Sequence, residues 1–241
     1  MSIRARTQAS LNLIERFLEQ CRDPAVSISF GKDSMLMLWL VRQVDESVPV
    51  VWFDGGKFDE WPETYAFRDR VVEEWGLDLI TVRPRLSLVE QWRQYGVPWK
   101  RGSREEAAYT REFQHALDSE AHRRGWGGQF VGMRAAESPT RSRLLYCRGP
   151  VYYAVTRDLF VCCPLWNWST GDVWLATDAY GIPVHPIYTM DPARRRETVR
   201  LGTMAETCLA GTPGALATFR RRHPGLFNEL AAQFPELRDH A

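Results

Sequence analysis

Apolar positions recur along this chain in two rhythms that alternate from segment to segment. Leu11, Leu13, Ile14, Phe17 and Leu18 fall at helical spacing and predict an amphipathic helix over residues 8–21. The run Ala25–Ser29 reads as a strand, followed by a helix that reaches about Asp45. Val48–Phe53 is a continuous apolar run, the composition of a parallel strand covered on both faces. Pro62 stands where a helix begins, with Glu63 in its first turn, and this helix reaches about Trp75. A third strand is expected at Leu77–Val82, helices at Ser87–Tyr95 and Ser103–Arg124, and a fourth strand at Gln129–Met133. Strands and helices alternating at these lengths predict an α/β fold built on a doubly wound, mostly parallel sheet. After residue 134 the rhythm changes to short strands at 151–156 and 159–163, a helix at 170–180, and a terminal helical region at 213–234 broken near Pro224. The expected organisation is one α/β domain over residues 1–190, with a smaller irregular loop and helical extension over 191–241 packed on it.

The first strand leads into Ser29-Phe30-Gly31-Lys32-Asp33-Ser34, and a helix opens immediately after. Helix N-termini carry unpaired N–H groups and partial positive charge, so a strand, a tight turn and a helix start make an anion cradle. Gly31 lets backbone approach a phosphate, Lys32 adds a point charge, and Ser29 and Ser34 add hydroxyls, with Ser27 just upstream. The Walker spacing is absent, because no glycine lies five residues before the Gly31-Lys32 pair. The second strand delivers Asp54-Gly55-Gly56 and then Pro62-Glu63-Thr64; in open α/β sheets ligands bind at the carboxyl ends of strands. The fourth strand delivers Gly132, Arg134, Glu137, Ser138, Arg141 and Arg143, three arginines within ten residues beside one carboxylate. Arginine forks bind phosphate or sulfate oxygens in bidentate fashion, and Glu137 can orient one of them.

A formal net charge of +1 gives no global field toward nucleic acid or membrane. Only three lysines occur, Lys32, Lys57 and Lys100, and one of them lies in the proposed anion loop. Five cysteines without paired spacing argue against a disulfide framework, and no Cys-x-x-Cys supports zinc or an iron–sulfur cluster. No apolar run of about twenty residues and no leader-like h-region follow the N-terminus, so the expectation is a cytoplasmic protein with no membrane segment.

The residues 29–34 resemble the pyrophosphate-binding loop of the PP-loop ATP pyrophosphatases, Ser-Gly-Gly-x-Asp-Ser, with Phe30 in place of the first glycine. Asp54-Gly55-Gly56 with Trp61-Pro62-Glu63-Thr64 is similar to the stretch Asp-Thr-Gly…Phe-Pro-Glu-Thr. Gly132-x-Arg134-x-x-Glu137-Ser138-x-x-Arg141 resembles the Gly-x-Arg-x-x-Glu-Ser-x-x-Arg motif of the phosphoadenosine phosphosulfate (PAPS) reductase family. Pro164-Leu165 through Trp174 looks like Pro-Leu-x-x-Trp-Thr-x-x-Asp-Val-Trp, although Ser169 and Asp172 are equally the pattern of a helix N-cap. Ile182-Pro183-x-His185-Pro186-Ile187-Tyr188 and Arg200-Leu201-Gly202-Thr203 are similar to Ile-Pro-x-Asn-Pro-Leu-Tyr and Arg-x-Gly-Cys, with His185 for asparagine and Thr203 for cysteine. The motifs stand in the family order over about residues 22–208.

The resemblance implies the adenine nucleotide α-hydrolase fold and an adenine nucleotide against the first three loops. The implied nucleotide-binding set is Ser27, Ser29, Phe30, Gly31, Lys32, Asp33, Ser34, Asp54, Gly55, Gly132 and Arg134. Lys32, Asp33, Arg134 and Arg141 are the implied catalytic residues, and Glu137, Ser138, Arg141, Arg143 and Arg200 the substrate-anion set. A reductase of this family uses a cysteine in a C-terminal Glu-Cys-Gly-Leu-His motif, and this chain has no cysteine beyond Cys208. The leading expectation is therefore cleavage of ATP between the α and β phosphates to adenylate an unidentified acceptor, with Mg²⁺ placed by Asp33 or Asp54. Two further readings stand beside it. One is a sulfonucleotide reductase or sulfurtransferase using an external thiol. The other is a nucleotide-binding subunit that works with a protein partner or a second copy in nucleic-acid modification.

Overall fold

The computed structural model describes the chain except residues 1, 101, 191–194, 200, 202–214 and 241. Its elements are α1 (Ile3–Gln20), β1 (Ala25–Ile28), α2 (Lys32–Arg42), β2 (Val50–Phe53), α3 (Pro62–Trp75), β3 (Leu79–Val82), α4 (Leu88–Tyr95), α5 (Arg104–Arg124), β4 (Gly128–Val131), α6 (Pro139–Arg148), β5 (Val151–Ala154), β6 (Leu159–Cys162), α7 (Thr170–Ala179), α8 (Ala215–Arg222) and α9 (Pro224–Gln233). The six strands form one sheet in the order β3-β2-β1-β4-β6-β5. Strand β1 pairs in parallel with β2 and β4, β4 pairs in parallel with β6, and β5 runs antiparallel against β6. The α/β, mostly parallel sheet expected from the sequence is the fold observed.

The connectivity decides where a ligand can sit. The chain leaves β1 toward β2 on one side and later returns to place β4 on the other. The strand order reverses between β1 and β4, and such a reversal opens a crevice at the carboxyl ends of the strands. The Ser29–Ser34 turn leaves β1 at that point, and the segment from Gly132 leaves β4 beside it.

The chain divides into two compact units: residues 1–52, 66–81 and 118–201, and residues 53–65, 82–117 and 202–241. In the first, β1 and β2 are almost wholly buried, as both-face coverage of a parallel strand demands. Phe17 of α1 meets Phe130 of β4 edge-on at 5.0 Å. Gly128 is needed there, because a β-carbon would fall 2.7 Å from the Phe17 ring and 2.5 Å from the Cys21 sulfur. In the second unit, aromatic pairs hold the helices: Trp61 with Phe219, Trp92 with Phe234, and Phe219 with Phe227. Ser87 and Glu90 close a reciprocal capping box at the start of α4.

Two elements differ from the sequence reading. Helix α1 begins at Ile3, with Ser2 as its N-cap, five residues earlier than the apolar periodicity shows. Residues 139–148, for which the sequence pattern predicts no element, are helix α6. Its only buried residue is Leu145, so it carries no apolar stripe for periodicity to detect. The legible signal was Ser138 followed by Pro139, an N-cap with proline in the first turn.

Candidate functional site

The turn after β1 is built around Phe30, whose φ of +58° lies in the left-handed region. That backbone costs a non-glycine residue roughly 1–2 kcal/mol. Phe30 is nonetheless fully buried and meets Trp52 and Phe67 edge-on at 5.8 and 6.2 Å. Burying a phenylalanine returns about 2–3 kcal/mol, which offsets the strain. Phe30 therefore shapes the loop from beneath, and its ring is not available to a ligand. Gly31 is the N-cap of α2. The Ser34 hydroxyl donates to the Gly31 carbonyl at 3.0 Å and accepts from the Ser29 amide at 3.2 Å, locking the turn. Ser27 lies within β1, opposite Val51 and Val131.

Two buried cations converge on one carboxylate at this helix start. Lys32 donates from Nζ to Asp33 Oδ2 at 2.6 Å, and Arg134 donates from Nε to Asp33 Oδ1 at 2.6 Å. The Lys32 and Arg134 side chains are 7% and 3% exposed, so both charges are largely desolvated. The Arg134 guanidinium also donates to the Trp168 carbonyl at 3.2 Å and reaches Thr170 Oγ1 at 3.5 Å. Glu137 accepts from the Arg134 amide at 2.8 Å and pairs with Arg141 Nη1 at 2.6 Å. Ser138 caps α6 by accepting from the Arg141 amide, while Arg141 and Arg143 are exposed on that helix. Gly132 keeps the two chain segments close. A β-carbon there would lie 3.1 Å from the Ser34 nitrogen and 3.2 Å from the Asp33 carbonyl carbon. Replacing Gly132 with alanine is expected to push the α2 terminus outward and cost about 1 kcal/mol or more. Urea unfolding would show the loss, and an unchanged midpoint would remove the close-approach role.

Asp54 and Gly55 belong to the second unit. Asp54 is buried and accepts from the Gly56 amide, the Tyr65 hydroxyl and Arg83 Nε at 3.0, 2.8 and 3.0 Å. Gly55 is required by packing, since a β-carbon would sit 1.8 Å from Asp59 Oδ2, which itself accepts from Tyr109. Burial, then the neighbouring charges of Asp59 and Asp54, hold the Glu60 carboxyl well above the usual range. Arg200, Thr203 and Cys208 lie outside the described residues.

Residues 23–208 match the phosphoadenosine phosphosulfate reductase domain family. The chain belongs to that family. Over 169 residues it is 31% identical to the phosphoadenosine 5'-phosphosulfate reductase of Shewanella oneidensis, a match that covers 68% of this chain and 64% of that one. This chain thus spans a little under two thirds of the length of that curated relative. The crystal structure of the PAPS reductase of Candida auris, in a phosphate complex, superposes with a TM-score of 0.58 at 14% identity over 79% of this chain and 92% of that one. The FMN adenylyltransferase of Candida glabrata, in complex with FMN and the ATP analogue AMPCPP, gives a TM-score of 0.54 at 17% identity over 78% and 60% of the two chains. At these identities the two structures speak for a shared fold alone.

Within this PAPS reductase family member the carboxylates proposed for Mg²⁺ are engaged by protein donors. Both oxygens of Asp33 are taken by Lys32 and Arg134, and both oxygens of Asp54 by an arginine, a tyrosine and an amide. Among the described residues no group of three metal-ligating side chains comes together. Cys162 and Cys163 are fully buried. Burial pushes both thiols up, Cys163 to about 12, so neither supplies a thiolate near neutrality. No described helix is long and apolar enough to cross a membrane.

His185, which replaces the family's asparagine, is buried and structural. Its Nδ1 accepts from the Ile187 amide at 3.1 Å, and burial holds its pKa down near 4. Above the unfolded value of about 6.5 both states are neutral and the residue has no pH effect. As pH falls from there toward 4, the unfolded chain takes a proton that the folded chain refuses. Stability is therefore lost on acidification, by about 3 kcal/mol in full. Urea unfolding of wild type and His185→Asn at pH 7.5 and 4.5 is expected to show a steeper loss in wild type; parallel losses would remove this assignment.

Proposed function

We propose that this protein binds an adenine sulfonucleotide in its first unit and promotes thiol-dependent cleavage of the sulfur–oxygen bond. The observation that carries the reading is the pair of desolvated cations, Lys32 and Arg134, set against a single carboxylate at the α2 N-terminus. One positive charge is left over at a helix end that already favours anions. The family match and the reductases among the relatives favour a sulfonucleotide over ATP, and Asp33 and Asp54 are both engaged by protein cations.

In the proposed reaction a thiolate attacks the sulfur, and the sulfur–oxygen bond breaks with its electron pair leaving on the nucleotide phosphate. An S-sulfonated thiol results. A second thiol then attacks its sulfur, releases sulfite and leaves a disulfide. This chain's residues hold the anion: Lys32 and the α2 amides meet the charge, Arg134 fixes Asp33 and with it the Lys32 ammonium, and Arg141 offers a solvent-facing fork steered by Glu137. The thiol is external to the described cysteines, from a partner protein or a small dithiol.

Calorimetric titration of one preparation with PAPS and with ATP plus Mg²⁺ tests the reading. PAPS is expected to bind at least about tenfold more tightly, a margin of about 1.4 kcal/mol, and to yield sulfite when a dithiol such as thioredoxin is added. The reverse preference, with pyrophosphate release, would overturn it in favour of adenylylation.

A further inference from the structure

The Pro186–Tyr188 turn has no part in the site so far, yet it ends against the anion loop. Tyr188 is 4% exposed and its ring meets Trp174 edge-on at 5.1 Å, so the hydroxyl has one position. His185 fixes the turn from behind by accepting the Ile187 amide, and packs edge-on against Phe67 at 5.2 Å. The Tyr188 hydroxyl accepts from the Lys32 amide at 3.1 Å, one of the orphan donors at the α2 N-terminus. It also accepts a backbone hydrogen bond from Leu201.

A phenol oxygen has two lone pairs and one proton. Here both lone pairs are directed at backbone N–H groups, so the remaining capacity of the group is to donate. The neighbouring carboxylate, Asp33, holds Lys32 on one oxygen and Arg134 on the other, and among the described residues the Tyr188 hydroxyl makes no hydrogen bond to it. Burial keeps the phenol protonated, with its pKa pushed up to about 12. A neutral, rigid O–H donor therefore stands beside the Lys32 amide, where the charge excess draws an anion.

We infer that Tyr188 is a substrate-binding residue whose hydroxyl donates a hydrogen bond to the nucleotide's anionic oxygen at the α2 N-terminus. This deepens the proposed function and rests on its placement of the anion there. Because the same oxygen accepts from Lys32 and Leu201, the ligand joins a three-way junction of the anion loop, the Pro186–Tyr188 turn and the backbone at Leu201.

Two substitutions separate this role from a merely structural one. Tyr188→Phe removes the donor and both acceptors; it is expected to weaken PAPS binding about tenfold or more, the effect of one hydrogen bond to a charged group. A 3-fluorotyrosine placed at 188 is a stronger donor and a weaker acceptor than tyrosine. Titrated at pH 6.5, where it stays protonated, it is expected to bind PAPS a few fold more tightly than wild type, although its thermal midpoint falls. Unchanged or weaker binding by the folded fluorotyrosine protein would overturn the inference, since an acceptor-only strut gains nothing from acidity. The same series is run with ATP. Wild type preferring ATP, with the fluorotyrosine gain present on ATP, would uphold Tyr188 while refuting the sulfonucleotide reading. Wild type binding neither nucleotide would overturn both.

Discussion

Arg134→Ala is expected to destabilise the first unit by about 3–5 kcal/mol and to abolish nucleotide binding. The size follows from burial. Removing one member of a buried ion pair leaves the partner charge desolvated and under-compensated, which costs far more than the pair itself contributes. Here the loss strips Asp33 of one of two cations and takes a donor from the Trp168 carbonyl. Arg134→Lys restores charge without the planar fork that spans Asp33, Trp168 and Thr170, so only partial recovery is expected. Chemical unfolding with nucleotide titration measures both effects. A stability within about 1 kcal/mol of wild type would show that the network contributes little.

Lys32→Ala is expected to behave differently: a modest stability change with a nucleotide affinity reduced roughly 10- to 100-fold, as for a lost charge-assisted hydrogen bond. Asp33 keeps Arg134 in this variant, so its carboxylate remains paired. What disappears is the excess charge at the α2 N-terminus: with Lys32 the local sum is positive, and without it Arg134 and Asp33 cancel. The variant should therefore discriminate by ligand charge, losing affinity for PAPS and ATP while uncharged adenosine is unaffected. Equal losses for adenosine and PAPS would place Lys32 in the scaffold and not in the anion site.

Much of the site was legible in the chain because it is local. The Ser29–Ser34 turn, the Gly132–Arg141 segment and the Ser169–Asp172 cap are each contiguous, and their chemistry follows from residue types at fixed spacing. Phe30 is the instructive exception among them. Its place in the motif suggested ligand contact, but a left-handed φ and a buried ring show that it serves the turn and the core. Asp33 differs in a second way. A lone aspartate in a nucleotide loop reads as a metal ligand, and only the packing of Arg134, 101 residues away, turns it into the anion of an ion-pair triad. Tyr188 was visible only as a motif letter. Its hydroxyl meets the Lys32 amide across 156 residues of sequence, and no periodicity encodes such a contact.

The alternation of strands and helices, the mostly parallel sheet, the anion loop and the family can all be read from the chain alone. All of these rest on short-range patterns: apolar runs, caps, and residue types at set intervals. Which groups share a charge follows from packing. The reversal of strand order between β1 and β4 brings Lys32, Asp33 and Arg134 together, and burial then converts three ordinary side chains into a desolvated network with one positive charge to spare. Desolvation and long-range pairing are properties of the packed chain, and they set what this site can bind.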